Sequence, residues 1–178
     1  SSYTMLDMLN RSLDLYKMEN GSYKLCVKKI DILPLLDRIC LGANQMIQSM
    51  DLDVRIKVNG HIKQAKDRFE LLCDEMLFYS MMSNLIKNAI EASPRGGYVG
   101  ISLDKKREIT IRIENQGAVN PAIRERFFDK FITADKQQGT GLGTYSARLM
   151  AEIHTAGISL FTSDEEDRTV VTINWKKW

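Results

Sequence analysis

The chain has 178 residues, 44% of them hydrophobic and 27% charged, with a formal net charge of +2. This is the composition of an ordinary globular protein, long enough for one substantial core and a small appendage. The near balance of charge gives no preference for nucleic acid or a membrane surface, and no apolar run approaches the roughly 20 residues of a membrane span. The chain opens on Ser1-Ser2-Tyr3 without a leader-type segment, so it reads as a piece of something longer or as a cleaved product. Cys26, Cys40 and Cys73 are scattered, which points to free thiols in a reducing compartment. His61 and His154 lack ligand-spaced neighbours, so no histidine or cysteine metal site is expected.

Residues 4–19 predict a helix, with Leu6, Leu9, Leu13 and Tyr16 at spacings of three and four. Met5, Met8, Ser12 and Leu15 widen its apolar face, as in a helix with a bundle partner. Asn20-Gly21 ends it. A strand is expected over 23–30, then a helix capped by Asp31, with Pro34 in its first turn, running to about Ser49. "VRIKV" at 54–58 alternates and predicts a strand. Residues 74–92 give the strongest helical pattern, capped by Asp74. Strands follow at 98–103 and 109–114 as a hairpin. Pro121 opens a short helix to about Lys130. The helix after Gly143 runs to about Ile153, and a last hairpin joins 158–162 to 169–175. The acidic run Ser163-Asp164-Glu165-Glu166-Asp167-Arg168 reads most simply as a solvated turn.

Two stretches carry chemistry. On the 74–92 helix, Ser80, Asn84, Asn88 and Glu91 share one face. That stripe is either a solvated surface or a pair of amide oxygens aimed at one target such as a hydrated metal ion. Asparagine is a poor interior helix residue, whereas a solvated face normally uses Lys, Glu or Gln. In "GTGLG" at 139–143, Gly139, Gly141 and Gly143 precede a helix whose first amides have no internal partner. Bare backbone at a helix start suits phosphate, although a flexible turn explains the same residues. The spacing is neither that of a Walker loop nor of a Rossmann loop.

In order, "NLIKNA" (84–89), "ENQG" (114–117), "FFDKF" (127–131) and "GTGLG" (139–143) resemble the asparagine, first glycine, phenylalanine and second glycine boxes of bacterial sensor histidine kinase catalytic domains. These domains belong to the wider gyrase, Hsp90, histidine kinase and MutL superfamily. Residues 1–22 resemble the second helix of the dimerisation and phosphotransfer hairpin, and 23–178 the catalytic ATP-binding domain. The resemblance implies an α/β two-layer sandwich, a mixed β-sheet with helices on one face (the Bergerat-type ATP-binding fold), preceded by a single helix.

It further implies ATP and Mg2+ as ligands, with Asn88 on the magnesium. Asn84 stands where hydrolysing members carry a glutamate base. An amide cannot be that base, so Asn84 is assigned a catalytic-site role favouring phosphoryl transfer over hydrolysis. Asn115 and Gly117 would meet the base. Lys136, Gly139, Thr140, Gly141, Leu142 and Gly143 would form the lid and phosphate cradle, Lys136 being either a phosphate contact or an exposed lid lysine. Asn115 departs from the usual aspartate, Val119 from a glycine and Lys130 from a frequent proline. Phe128 and Phe131 read as packing that supports the lid, and His154 as structural.

The implied function is donation of the γ-phosphate of ATP to a histidine outside this chain, with no self-phosphorylation. The alternatives are a nucleotide-binding regulatory module without kinase activity, and an ATP-driven conformational ATPase of the same superfamily. The implied partners are the parent's dimerisation hairpin, in a homodimer, and a response regulator receiver domain, in the cytoplasm. No nucleic acid or membrane contact is expected.

Overall fold

The computed structural model describes residues 2–133 and 140–176. In chain order the elements are α1 (Ser2–Glu19), β1 (Val27–Asp31), α2 (Leu33–Gly42), α3 (Asn44–Ser49), β2 (Asp53–Val58), β3 (His61–Ile62), β4 (Glu70–Asp74) and α4 (Glu75–Ala92). There follow β5 (Tyr98–Lys105), β6 (Ile109–Gln116), a single 3-10 turn at Arg124–Arg126, α5 (Gly143–Ile153), β7 (Gly157–Ser163) and β8 (Arg168–Trp175). Six strands form one mixed sheet in the order β3-β2-β5-β6-β8-β7, with β2 parallel to β5 and the other neighbours antiparallel. β1 and β4 pair separately as an antiparallel ribbon.

Strict alternation decides which face of the sheet is covered. Val99, Ile101 and Leu103 of β5 and Ile109, Ile111 and Ile113 of β6 are buried, together with Ile173 and Trp175 of β8. They meet Phe78, Met81, Met82, Leu85 and Ile86 of α4 and Ala147 and Ala151 of α5. Each buried Leu or Ile contributes about 1.5–3 kcal/mol. The opposite face is polar and carries pairs such as Arg112 with Asp104 (3.3 Å) and Tyr98 with Glu114 (2.8 Å). The expected two-layer sandwich, with helices on one face and a helix in front, is therefore observed.

Several local expectations change. The strand expected over 23–30 begins only at Val27, because the preceding segment turns toward Asp74 instead: Tyr23 Oη (3.2 Å) and Cys26 N (3.1 Å) both donate to Asp74 Oδ2. The helix expected over 31–49 breaks into α2 and α3 at Ala43, directly after Gly42. The N-cap is Ile32 and not the expected Asp31, which stands one residue earlier at the end of β1 and accepts from Leu33 N at 3.2 Å and from Phe69 N at 3.1 Å. The helix expected over 121–130 is reduced to the 3-10 turn. There the Asn120 side chain accepts from Ala122 N, and the Arg124 guanidinium folds onto Val119 O (2.7 Å) and Asp164 (2.9 Å). So the acidic run is not wholly a solvated turn.

Asp74 caps α4 as its sequence predicts, with Oδ1 accepting from Leu77 N at 3.1 Å. Its own N–H donates to His154 Nε2 at 3.0 Å, and His154 Nδ1 lies 2.6 Å from Met150 O. His154 is therefore structural, and the two contacts fix the neutral tautomer with Nδ1 as the donor. Burial holds its pKa below the ordinary 6.5. A depressed folded-state value means that the unfolded chain binds the proton first. The stabilisation is complete above about pH 6.5 and is lost as pH falls below it. Melting temperature should drop between about pH 7.5 and pH 5.5 in the wild type, and His154→Ala should remove that part of the drop while costing about 1–3 kcal/mol at the higher pH through the orphaned Asp74 N–H. Thermal denaturation across this range checks both.

Phe131 has a left-handed backbone (φ 63°) and its N–H donates to Gly141 O at 2.9 Å, closing the two ends of the segment between them. Gly141 also has positive φ (68°), and a Cβ there would lie 2.6 Å from the Phe131 carbonyl carbon. Two backbones pass where no side chain fits. Gly141→Ala should cost about 1–3 kcal/mol in thermal unfolding, whereas Gly42→Ala, with open space around it, should be neutral or slightly stabilising.

Candidate functional site

α4 forms the floor of the site. Its N-terminus is fixed by Asp74, and its apolar positions are buried, so its register sets what the remaining face presents. Ser80, Asn84 and Asn88 on that face are half-buried, which excludes a fully solvated stripe; Glu91 is exposed and pairs with Lys87 at 3.9 Å. No hydrogen bond joins the Asn84 or Asn88 side chains to another group among the described residues. Among the described residues, two half-buried amides one turn apart thus have uncommitted oxygens.

α5 begins over this face. A Cβ on Gly143 would come within 4.0 Å of Asn84 Cβ, so the start of α5 stands directly beside the first asparagine. No side chain caps α5. Thr140 Oγ1 accepts only weakly from Leu142 N, at 3.4 Å. Among the described residues, no side chain accepts from the opening amides of the helix, which with the positive end of its dipole stand beside the asparagine side of α4. Thr144 Oγ1 donates to Phe127 O at 2.7 Å, which anchors this end of α5 to the phenylalanine segment.

The loop after β6 closes the other end. Gly117 adopts φ 104°, and a Cβ there would sit 3.1 Å from Ala92 O, the last carbonyl of α4. Its N–H donates to Asp167 O (2.7 Å), and its carbonyl accepts from Thr169 Oγ1 (2.8 Å). Asn115 is only 4% exposed, and its Nδ2 donates to Gln116 O at 2.8 Å. With the amide hydrogens turned that way, Oδ1 remains as an acceptor at the end of the strand.

The fold thus brings Asn84, Asn88, Asn115, Gly117, Leu142 and Gly143 around one helix, with Thr140 and Gly141 at the margin. Gly141 is explained by its passage against Phe131. Lys136 and Gly139 lie outside the described residues. Among those described, no cluster of three His, Cys, Asp or Glu side chains is placed to hold a metal. Phe131 is 65% exposed and does not pack as expected. The packing partner of Phe128 is instead Phe127, edge to face at 4.9 Å.

Sequence reasoning missed one contact between elements. Glu19 at the end of α1 accepts from Lys130 Nζ (3.2 Å) and from Tyr145 Oη (3.1 Å), and Lys130 and Arg148 both lie over the Tyr145 ring. α1 is thereby tied to both sides of the segment that leads into α5. The partners are 111 and 126 residues apart, beyond any local pattern.

Comparison with known proteins gives the family. Residues 73–178 match the family described as histidine kinase-, DNA gyrase B-, and HSP90-like ATPase. The sensor protein IrlS of Burkholderia pseudomallei is 29% identical over 160 residues, covering 85% of this chain and 32% of that protein. The chain spans about a third of the length of the first curated relatives it matches. Two solved structures share the fold. Full-length ShkA in complex with AMPPNP has a TM-score of 0.77 at 16% identity, with 98% of this chain and 36% of that one covered. Histidine kinase ThkA in complex with response regulator protein TrrA has 0.70 at 18%, with 98% and 50% covered. With its amide-bearing helix, uncapped second helix and glycine turn matched to residues 73–178, the chain belongs to the histidine kinase-, DNA gyrase B-, and HSP90-like ATPase family.

Proposed function

We propose that the chain is the ATP-binding catalytic unit of a sensor histidine kinase and passes the γ-phosphate to a histidine on another part of the parent protein. The carrying observation is the uncapped start of α5 set beside Asn84, with Asn88 one turn further along the same uncommitted face. Helix amides hold phosphate oxygens there, and the two asparagine oxygens fit a hydrated magnesium ion on those phosphates. When bound, magnesium neutralises charge building on the phosphoryl group. The chain's own part is to orient the phosphates and exclude alternatives. Asn84 has no basic site for activating water, so the geometry favours an external acceptor. Asn115 Oδ1 accepts from the exocyclic amine of adenine. Lys136 and Gly139 complete the lid over the phosphates.

Residues 1–22 then serve as the second helix of the dimerisation hairpin. Met5, Leu6, Leu9, Leu13 and Tyr16 form an exposed apolar stripe on α1, as a helix awaiting its bundle would. The parent is a homodimer through that hairpin, works in the cytoplasm, and hands its phosphoryl group to a response regulator receiver domain. The complex of ThkA with TrrA supports that partner class. No helix among the described residues is long and apolar enough to cross a membrane.

Isothermal titration tests the central reading. Asn88→Ala should weaken binding of ATP with magnesium by at least about tenfold and leave metal-free nucleotide binding nearly unchanged. Equal losses would remove Asn88 from the metal. Asn115 sets a second outcome. A neutral amide bonds the base with about 0.5–1.5 kcal/mol, a carboxylate with about 1.5–3. Asn115→Asp should therefore tighten ATP by about fivefold and disfavour GTP, as read by competition against a fluorescent nucleotide.

A further inference from the structure

β2 is paired along its whole length on one side and along only part of it on the other. Its ladder to β5 begins with Asp53 N donating to Gly97 O (3.0 Å) and ends with Asn59 N donating to Leu103 O (2.8 Å). Backbone groups alternate sides along a strand, so the odd-numbered residues serve β5, while Val54, Ile56 and Val58 turn their N–H and C=O to the other edge. There β3 pairs only with Lys57 and Val58, and Lys63 N reaches Ile56 O at 2.8 Å. Among the described residues nothing pairs with the N–H and C=O of Val54 or with the N–H of Ile56.

Beside this open edge runs a groove of about 730 Å3 between β2 and the α2–α3 helices, away from the asparagine site. Cys40, Ile47 and Leu52 line its floor. Leu41, 75% exposed, and Ile62, 50% exposed, stand at its rim. Its charges are already matched, Lys63 with Asp37 at 3.1 Å and Arg55 with Asp53 at 2.9 Å. Val54 and Ile56 share the side-chain face of buried Val58. A strand laid opposite Val54 would therefore send every second side chain to that face, over Cys40, Ile47 and Leu52.

We propose that this groove receives an extended, uncharged peptide segment of a partner protein, which adds as a further strand to the β2 edge at Val54. The unpaired backbone selects the shape: a docked helix has no free donors and acceptors for Val54, whereas an extended segment does. The balanced charges select the chemistry, since an acidic or basic segment would find each counter-ion committed. Strand addition continues the line of β3 where that strand stops.

The test uses the 178-residue chain labelled with 15N, titrated with the acetylated, amidated hexapeptide Thr-Val-Thr-Val-Thr-Val. Amide signals of Val54 and Ile56 should shift and exchange more slowly with solvent. Of the two peptides N-methylated at every second residue, one in each register, the one whose methyl groups face β2 should bind at least about tenfold more weakly than the other, and the unmodified peptide should lose at least about tenfold on Leu41→Glu, with the melting temperature of that exposed variant unchanged. A peptide alternating Thr and Glu should not bind. No shift at Val54, or equal binding of the methylated peptides, would overturn strand addition. A concentration-dependent dimer broken by Leu41→Glu would assign the edge to a second copy of the chain and overturn the partner segment.

Discussion

Asp74 is a carboxylate only 4% exposed, and the rest of the structure is arranged around it. It accepts from Leu77 N, Tyr23 Oη and Cys26 N, while its own N–H donates to His154. A buried carboxylate is tolerable only when such donors surround it. Burial and this neighbour push the Tyr23 phenol up to about 12, so Tyr23 stays a donor at any ordinary pH. One residue thereby joins the segment after α1, the end of β4, the start of α4 and the end of α5. Fixing the first turn of α4 fixes its rotation, and that rotation decides that Asn84 and Asn88 look outward while Leu85 and Ile86 look into the core.

The site is then a consequence of what covers α4 and what does not. The sheet covers one side. α5 covers part of another, with Gly143 close enough to Asn84 that even a methyl group would be in contact. The loop at Gly117 closes on the helix's last carbonyl. Between these boundaries polar backbone and amide groups have no partner among the described residues, which is costly in a folded protein unless water, a ligand or another part of the chain meets them. The polar groups that the fold leaves open among the described residues are the ones that the proposed function gives to a nucleotide.

Much of this was legible in the sequence because the signals were local. Alternation in 98–103, 109–114 and 169–175 and the Asp74 cap each act within a few residues and are found as read, and Asn84 and Asn88 share one half-buried face of α4. The failures share a different cause. "ELLCD" became β4 because β1 was available to pair with it, although the two are far apart in sequence. Tyr23 to Cys26 was drawn out of its strand by a carboxylate 48 residues away. Pro121 promised a helix, but Arg124 found better acceptors at Val119 and Asp164. In every case a tertiary partner outbid local propensity.

The span of the Asp74 contacts has a consequence for how the molecule is made. His154 lies 80 residues downstream of Asp74, and Trp175, whose Nε1 donates to Leu72 O, lies 103 residues beyond its acceptor. During synthesis α4 emerges long before either. The start of the helix that carries the asparagines therefore lacks His154 until α5 has emerged, and the core under its inner face lacks Ile173 and Trp175 until β8 has. Loop-closure entropy makes such distant pairings late and slow. Completion of the core behind the candidate site thus waits for β8, and a nascent chain interrupted before that strand would leave the apolar residues of β6 short of a neighbour and open to the chaperone machinery.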